Sequence, residues 1–356
     1  MVFQLRAEND MNMIVHPGSS SELRRQSWRA RLLGSPFVAD VLAAADRQLV
    51  HAPRTAALIA NWQGDAAAAA LGLRLNSAVH ALARRGIPPV LKALFDHRHN
   101  DFDGALATTF ETEDRFIANW MRSPTQTNEV GRAAALAAAL LVARGATGLP
   151  AEVLELGASC GLNLNLGRYG YDLGGRIAGN QDSAVHIAPR WNGSAPPAEP
   201  LEIVEARGVD LNPLDPRDLA TRERLLAYVW ADQPRRTKRL EQALEIAQLA
   251  VPDVEGADAQ IWLEERFAEP QAAGTCRVVV HSMVLQYLGH DQREALGTMF
   301  QEAGHRACSK RPLARISFEW NQARTEVHLK LTTWPGQTTR LLAVCDPYGD
   351  WIDWRG

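Results

Sequence analysis

Glu155, Gly157, Ser159, Gly161 and Asn163 fall on alternate positions of one stretch, LELGASCGLN (154–163). Two chemistries use such a pattern. Gly157-Ala158-Ser159-Cys160-Gly161 matches G-x-S-x-G, the sharp turn that exposes a serine nucleophile at the end of a strand. A glycine turn after a strand can instead bring a ligand close to backbone, with the following helix N-terminus offering N–H groups to an anion or a polar group. In that second reading Gly157 frees the chain to turn, Gly161 lets the next helix start close to the sheet, and Ser159 is a small hydroxyl donor. The spacing is not G-x-G-x-x-G, which makes it a poor nicotinamide fingerprint.

The elements around the stretch decide between the two. Residues 20–148 carry apolar residues at helical spacing over Ser21–Leu33, Pro36–His51, Asp65–Arg85, Phe102–Met121 and Asn128–Arg144, broken by GSP, GIPP and RSPT. GATGLP (145–150) punctuates the chain. Beyond it, strand-like runs at 152–157, 201–211, 249–258, 276–285, 313–320, 327–334 and 339–346 alternate with helical stretches at 217–230, 234–249, 259–267 and 291–308. The last two runs are separated only by PGQT and predict an antiparallel hairpin. The expectation is a helical N-terminal domain over 1–148, acting as a lid, and an α/β domain over 149–356: a doubly wound parallel sheet closed by a C-terminal antiparallel hairpin, with an insertion at about 168–200.

A nucleophile elbow needs earlier strands and an oxyanion loop, and the upstream 150 residues look helical. Its triad would have to use Asp258 and His281, on chain order alone. The glycine-turn reading draws on more of the chain.

The pattern E-x-G-x-S-x-G-x-N resembles the first motif of class I S-adenosylmethionine-dependent methyltransferases. That resemblance implies a Rossmann-like sheet and a cofactor turn made by Glu155, Gly157, Ser159, Gly161 and Asn163, facing the methionine part of S-adenosylmethionine. GVDLNP (208–213) resembles the second strand of that fold, whose terminal acid, here Asp210, binds the ribose hydroxyls; a carboxylate suits a diol because it accepts two hydrogen bonds. EGADAQIW (255–262) resembles the segment in which Asp258 meets the adenine amino group, and VVVHSMVLQYL (278–288) resembles the fourth strand and the turn facing the transferable methyl. The final hairpin matches the antiparallel seventh strand. More chain separates Glu155 from Asp210 than one crossover helix needs, hence the expected insertion. Over nearly its whole length, through SPTQTNEVGRAAAL, LELGASCGLNLNLGRYGYDLGG, ARGVDLNPLDP, VWADQPRRTKRLEQAL and YGDWIDW, the chain resembles a bacterial family, domain of unknown function 2332. The related C-terminal motif begins His-Gly; here Tyr348-Gly349 stands in that place.

Other residues are candidates for the pocket. Gln126, Asn128, Glu129 and Arg132 of QTNEVGR open an alanine-rich helix, and two of them are polar where burial is expected; Arg132 would pair with a carboxylate of the cofactor or of an acidic substrate. His281 follows three valines and is the candidate general base. Tyr169 and Tyr171 follow the first helix, and Glu319 and Trp320 end the fifth strand, where an aromatic face suits a sulfonium. DQPRRTKRLEQ (232–242) reads as a solvated helix start.

Composition sets the limits. The chain has 356 residues, 46% apolar and 22% charged, with net charge −3, which disfavours a nucleic-acid partner. Its four cysteines lack metal or disulfide spacing, so no metal is expected. The first twenty residues carry charges where a secretory segment is apolar, and AAALAAALLVA (133–143) is short for a membrane span; a cytoplasmic location with no membrane partner is expected. The functional expectation is an S-adenosylmethionine-binding methyltransferase for a small molecule. The alternatives are a non-catalytic ligand-binding or regulatory protein of the same fold, and a serine hydrolase using Ser159.

Overall fold

Residues 21–64, 66 and 69–356 are described by a computed structural model. The expectation for the first twenty residues, and part of the start of the helix expected at 65–85, lie outside the described residues. The chain divides into two compact units, Met1–Thr125 with Ala227–Gln233, and Gln126–Leu226 with Pro234–Gly356. The division comes earlier in the chain than the glycine-proline junction, because the alanine-rich helix belongs with the sheet.

The first unit is helical: α1 (Glu22–Leu32), α2 (Pro36–Gln48), α3 (Pro53–Ala60), α4 (Leu71–Arg85), α5 (Pro89–Phe95) and α6 (Phe102–Met121). The short α3 and α5 were not legible as helices; each opens on proline at its first turn, where the missing N–H costs nothing. Ser21 and Asp101 cap α1 and α6 by accepting from Arg24 N and Gly104 N. Val38, Val41, Leu42, Leu75, Val79, Leu106 and Phe110 fill the unit's core. His80 is buried among them, stacked on Phe95, and burial pushes its pKa down to about 4.

The second unit is a mixed α/β fold around a nine-stranded sheet. Its strands are β1 (Ala151–Leu156), β5 (Arg190–Asn192), β6 (Ile203–Asp210), β7 (Asp253–Gly256), β8 (Cys276–Ser282), β9 (Leu313–Trp320), β10 (Val327–Trp334), β11 (Thr338–Cys345) and β12 (Trp351–Trp354), in the order β5-β12-β11-β10-β9-β8-β1-β6-β7. The five strands β7-β6-β1-β8-β9 are parallel. The expected hairpin is present as β10 and β11, and β9 through β12 form an antiparallel run. Of the hairpin's two strands, β10 is the one beside β9 and is antiparallel to it, with β11 outside it. The insertion carries β2 (Gly170–Leu173), β3 (Arg176–Gly179) and β4 (His186–Ile187), a small sheet of its own, before β5 joins the far edge of the large one.

Helices lie on both faces. They are α7 (Ala133–Thr147), α8 (Leu219–Tyr228), α9 (Pro234–Leu249), α10 (Ala259–Ala268) and α11 (His290–Arg306). Leu154, Leu156, Val209, Val279 and Leu313 point one way and pack on Trp262 and Leu263 of α10 and Leu296 and Phe300 of α11. Each such side chain contributes about 1.5–3 kcal/mol when fully buried. On the other face Val278 lies beside Leu140 and Ala143 of α7, in which every residue from Ala133 to Ala143 is buried. With the turn before it, Val130–Thr147 is long and apolar enough to cross a membrane by length and composition, but 72% of that window is buried within the protein.

Candidate functional site

In the sheet β1 has β6 on one side and β8 on the other. Such a switch point leaves a crevice beyond the strands' carboxyl ends, where open α/β sheets bind ligands. The glycine turn sits there. Gly157 (φ 69°), Ser159 (φ 57°) and Gly161 (φ 71°) are all left-handed. Glycine takes that conformation freely; Ser159 takes it at a cost of order 1 kcal/mol.

Four N–H groups of the turn are already donated: Ala158 to Val209 O (3.0 Å), Ser159 to Asp210 Oδ2 (2.9 Å), Gly161 to Ala158 O (2.7 Å) and Leu162 to Asn128 Oδ1 (3.1 Å). No α-helix follows, but a 3-10 helix, Leu162–Arg168. The expectation of a helix N-terminus with free N–H groups is therefore corrected: the asparagines at 163 and 165 and Gly167 make a poor α-helix. The glycines are also hemmed in by protein. A Cβ on Gly157 would lie 2.5 Å from Val284 Cγ2, and one on Gly161 would lie 2.8 Å from Val254 Cγ2 and collide with Pro252.

What the turn leaves open is a set of buried oxygens. Glu155 Oε2, Ser159 Oγ and Asn163 Oδ1 are enclosed and have no hydrogen-bond partner among the described residues. Buried polar groups are almost always paired, so three orphans within nine residues require a missing partner. Glu155 is only 3% exposed. Burial pushes its pKa up to about 8; the Asn163 amide and the Arg132 charge pull the other way, and Asp210 adds to the rise. In the absence of a cation it is therefore a neutral acid at pH 7.

Asp210 ends β6 as expected. Its carboxylate orders the edge, accepting from Ser159 N, Asn212 N (2.9 Å) and Gln126 Nε2 (3.3 Å). Asp258 caps α10, its Oδ1 accepting from Gln260 N and Ile261 N, which leaves Oδ2 free. It borders a gap of about 20 Å³ lined by Leu156, Ala259, His281, Val284 and Leu285, room for one water.

Gln126–Arg132 forms a strap along this edge. Helix was expected from Asn128, but Asn128 has φ 37° and α7 begins only at Ala133. Gln126 reaches Asp210 and Asn212 O, Asn128 reaches Leu162 N, and Arg132 reaches Pro347 O (2.9 Å) and Ser282. Glu129 holds the strap to α9. It accepts from Arg236 Nε (2.8 Å) and Nη2 (2.5 Å), Arg239 Nη2 (3.1 Å) and Gly131 N (3.0 Å). Burial alone would raise its pKa, but the two guanidiniums outweigh burial and hold it at about 2. Arg236 also lies over the Tyr348 ring at 3.9 Å. Gly131 and Gly349 meet backbone to backbone: a Cβ on Gly131 would strike Tyr348 O. Gly131→Ala is accordingly expected to cost about 2 kcal/mol by overpacking, read as a lower urea midpoint with an unchanged slope.

Several expected roles change. His281 is fully buried, its Nδ1 2.7 Å from Glu319 and its Nε2 accepting from Arg315 Nε (3.0 Å). Because Arg315 donates to Nε2, the proton is on Nδ1, and burial lowers the pKa; with both nitrogens engaged His281 is no general base here. It positions Glu319, whose Oε1 also takes Val284 N (3.0 Å) and Leu285 N (3.3 Å) and so fixes the loop after β8. Tyr169 and Tyr171 do not line a pocket: both are buried, and their hydroxyls donate to Leu162 O and Leu166 O (2.6 Å each), carbonyls of the 3-10 helix. Trp320 ends β9 half-buried. The serine-hydrolase constellation is not assembled, for Ser159 Oγ has no partner and His281 pairs with Glu319 instead of Asp258. Arg236 and Arg239 were missed; three apart on a charged helix start, they read as solvated, yet Arg236 is 5% exposed. The available signal was the lone buried acid of QTNEVGR, which needed cations from elsewhere in the chain.

These features define a mixed α/β protein with unsatisfied buried polar groups at the switch point of its sheet. The family model described as an uncharacterized protein conserved in bacteria (DUF2332) matches residues 20–354, and the chain belongs to that family. No curated protein and no solved structure matches it.

Proposed function

We propose that the protein binds S-adenosylmethionine beside the β1 turn and is a methyltransferase acting on a small molecule. The observation carrying this reading is the orphaned set Glu155 Oε2, Ser159 Oγ and Asn163 Oδ1. An ammonium group has three donors and a positive charge, and suits these acceptors. Glu155 would hold the amino group of the methionine part, Asp210 has lone pairs left for ribose hydroxyls, and Asp258 Oδ2 is free for an adenine amino group. The strand order β7-β6-β1-β8-β9 supports a Rossmann-like methyltransferase sheet. Val284 over Gly157 gives the site an apolar wall that keeps water out. Seating a base in the gap near Asp258 requires the 284–288 segment to shift.

When bound, the cofactor supplies an electrophilic methyl group. The chain's contribution is to align it with a nucleophile in a dry site. Because His281 is committed to Glu319 and Arg315, the acceptor reacts through a group needing no protein base at that position. The same commitment favours a second reading, a binding protein that performs no chemistry. Calorimetric titration with S-adenosylmethionine and S-adenosylhomocysteine tests the binding; saturable binding of both is expected, and heat from neither removes the proposal. Separating the two readings takes a labelled methyl group: its transfer to metabolite extracts marks the enzyme, and its retention marks the binding protein.

A further inference from the structure

Arg132 forms no ion pair among the described residues, although the Glu129 and Glu319 carboxylates favour its charge from a distance. It is 9% exposed, yet among the described residues no carboxylate lies within the 4.0 Å of an ion pair. Its Nε donates to Pro347 O at 2.9 Å, and its Nη1 makes only long contacts to Ser282 O (3.5 Å) and Ser282 Oγ (3.4 Å). Among the described residues Nη2 makes no hydrogen bond, and it is not sealed from solvent. The Phe318 ring, 5.9 Å away, flanks the guanidinium. The nearby carboxyls are held by other donors and none hydrogen-bonds to Arg132 among the described residues. Glu129 serves Arg236 and Arg239, Glu319 Oε1 takes His281 and two backbone N–H groups, and Glu155 is neutral without a cation. A buried guanidinium with carbonyl partners alone is costly, and a fold that retains one has a partner to come.

The position of the charge says which partner. Arg132 reaches the end of β8 at Ser282, across the β1–β8 boundary from the turn that carries Glu155. We infer that Arg132 and the Ser282 hydroxyl seat an oxyanion, a carboxylate or a phosphate, carried by the second substrate. The planar guanidinium offers Nη1 and Nη2 as a fork for two oxygens, and the hydroxyl of Ser282 adds a third donor. The assignment to a second substrate rests on the cofactor reading; the oxyanion seat does not.

The test is a thermal-shift titration of the full chain with sodium acetate and, separately, inorganic phosphate, against sodium chloride at matched ionic strength. A melting-temperature rise beyond the chloride control is expected from at least one, and the stronger of the two identifies the oxyanion. Arg132→Gln is expected to abolish the rise, and Arg132→Lys, which keeps the charge but loses the fork, to weaken the anion about 10-fold. No rise over chloride, or an equal rise in Arg132→Gln, overturns the seat. If Arg132→Gln does not fold, the lysine variant decides, and an undiminished anion affinity in it overturns the seat. Affinity for S-adenosylhomocysteine is expected to stay within about 3-fold in Arg132→Lys; a loss equal to the anion's gives Arg132 to the cofactor's own carboxylate and overturns the assignment to a second substrate. Failure of cofactor binding with the anion response intact removes the proposed function and leaves the seat standing.

Discussion

Glu129→Gln is expected to destabilise the protein by about 3–5 kcal/mol, the cost of stripping a buried ion pair of one partner. Glu129 is 6% exposed and is the acid on which Arg236 and Arg239 converge. The amide keeps the shape but leaves two guanidiniums facing each other in a poorly solvated space. The same carboxylate makes stability fall in acid. Its pKa is about 2 in the folded protein against an ordinary 4.5. A depressed carboxylate contributes fully above its unfolded value and loses that contribution as pH falls through its folded one. The pH window is therefore about 4.5 down to 2, and the contribution lost is about 3 kcal/mol. Urea melts at neutral pH and near pH 3 check both effects: the wild type should weaken between them, and Glu129→Gln should have lost that part of the pH dependence.

Glu155→Gln is expected to do the opposite to the ligand-free protein and to cost it its ligand. The Glu155 pKa is raised to about 8 from 4.5 by burial. A raised acid binds a proton in the folded state that the unfolded state has released. Stability therefore falls as pH rises from about 4.5 to 8 and levels off above, by about 1.4 kcal/mol per unit. Glutamine removes this loss, so the variant should be more stable at pH 8 by about 3–5 kcal/mol. An ammonium ligand needs the ionised acid, so binding should release a proton and strengthen with pH up to about 8. In Glu155→Gln the affinity for S-adenosylmethionine should drop about 10- to 100-fold, the worth of one charged hydrogen bond. Calorimetry in buffers of different ionisation enthalpy reads the released proton directly. A variant that binds as tightly as the wild type, with no proton released by either, would remove Glu155 from the site.

The sequence carried the strands well because burial leaves a periodic record. The five parallel strands and the hairpin stand within a few residues of the apolar runs that announce them. The resemblance of GVDLNP to a methyltransferase second strand implies that Asp210 lies beside the glycine turn, and Ser159 N does donate to Asp210. Partners across the fold leave no such record. His281 looked free because nothing in VVVHS tells of Glu319 and Arg315, brought to it by β9. Tyr169 and Tyr171 looked like pocket walls because their targets, Leu162 O and Leu166 O, are backbone atoms of a 3-10 helix that periodicity reads as an α-helix. QTNEVGR has the pattern of a helix start, and the residues that hold Asn128 and Glu129 out of helix come from the glycine turn and α9.

The most direct test of the central claim is a crystal structure of the protein with S-adenosylhomocysteine. The amino group should lie within hydrogen-bond reach of Glu155 Oε2, the ribose at Asp210, and Val284 should have moved off the gap beside Asp258. A nucleoside bound elsewhere, or a turn whose three orphaned oxygens are satisfied by water alone with ligand at saturating concentration, would contradict it.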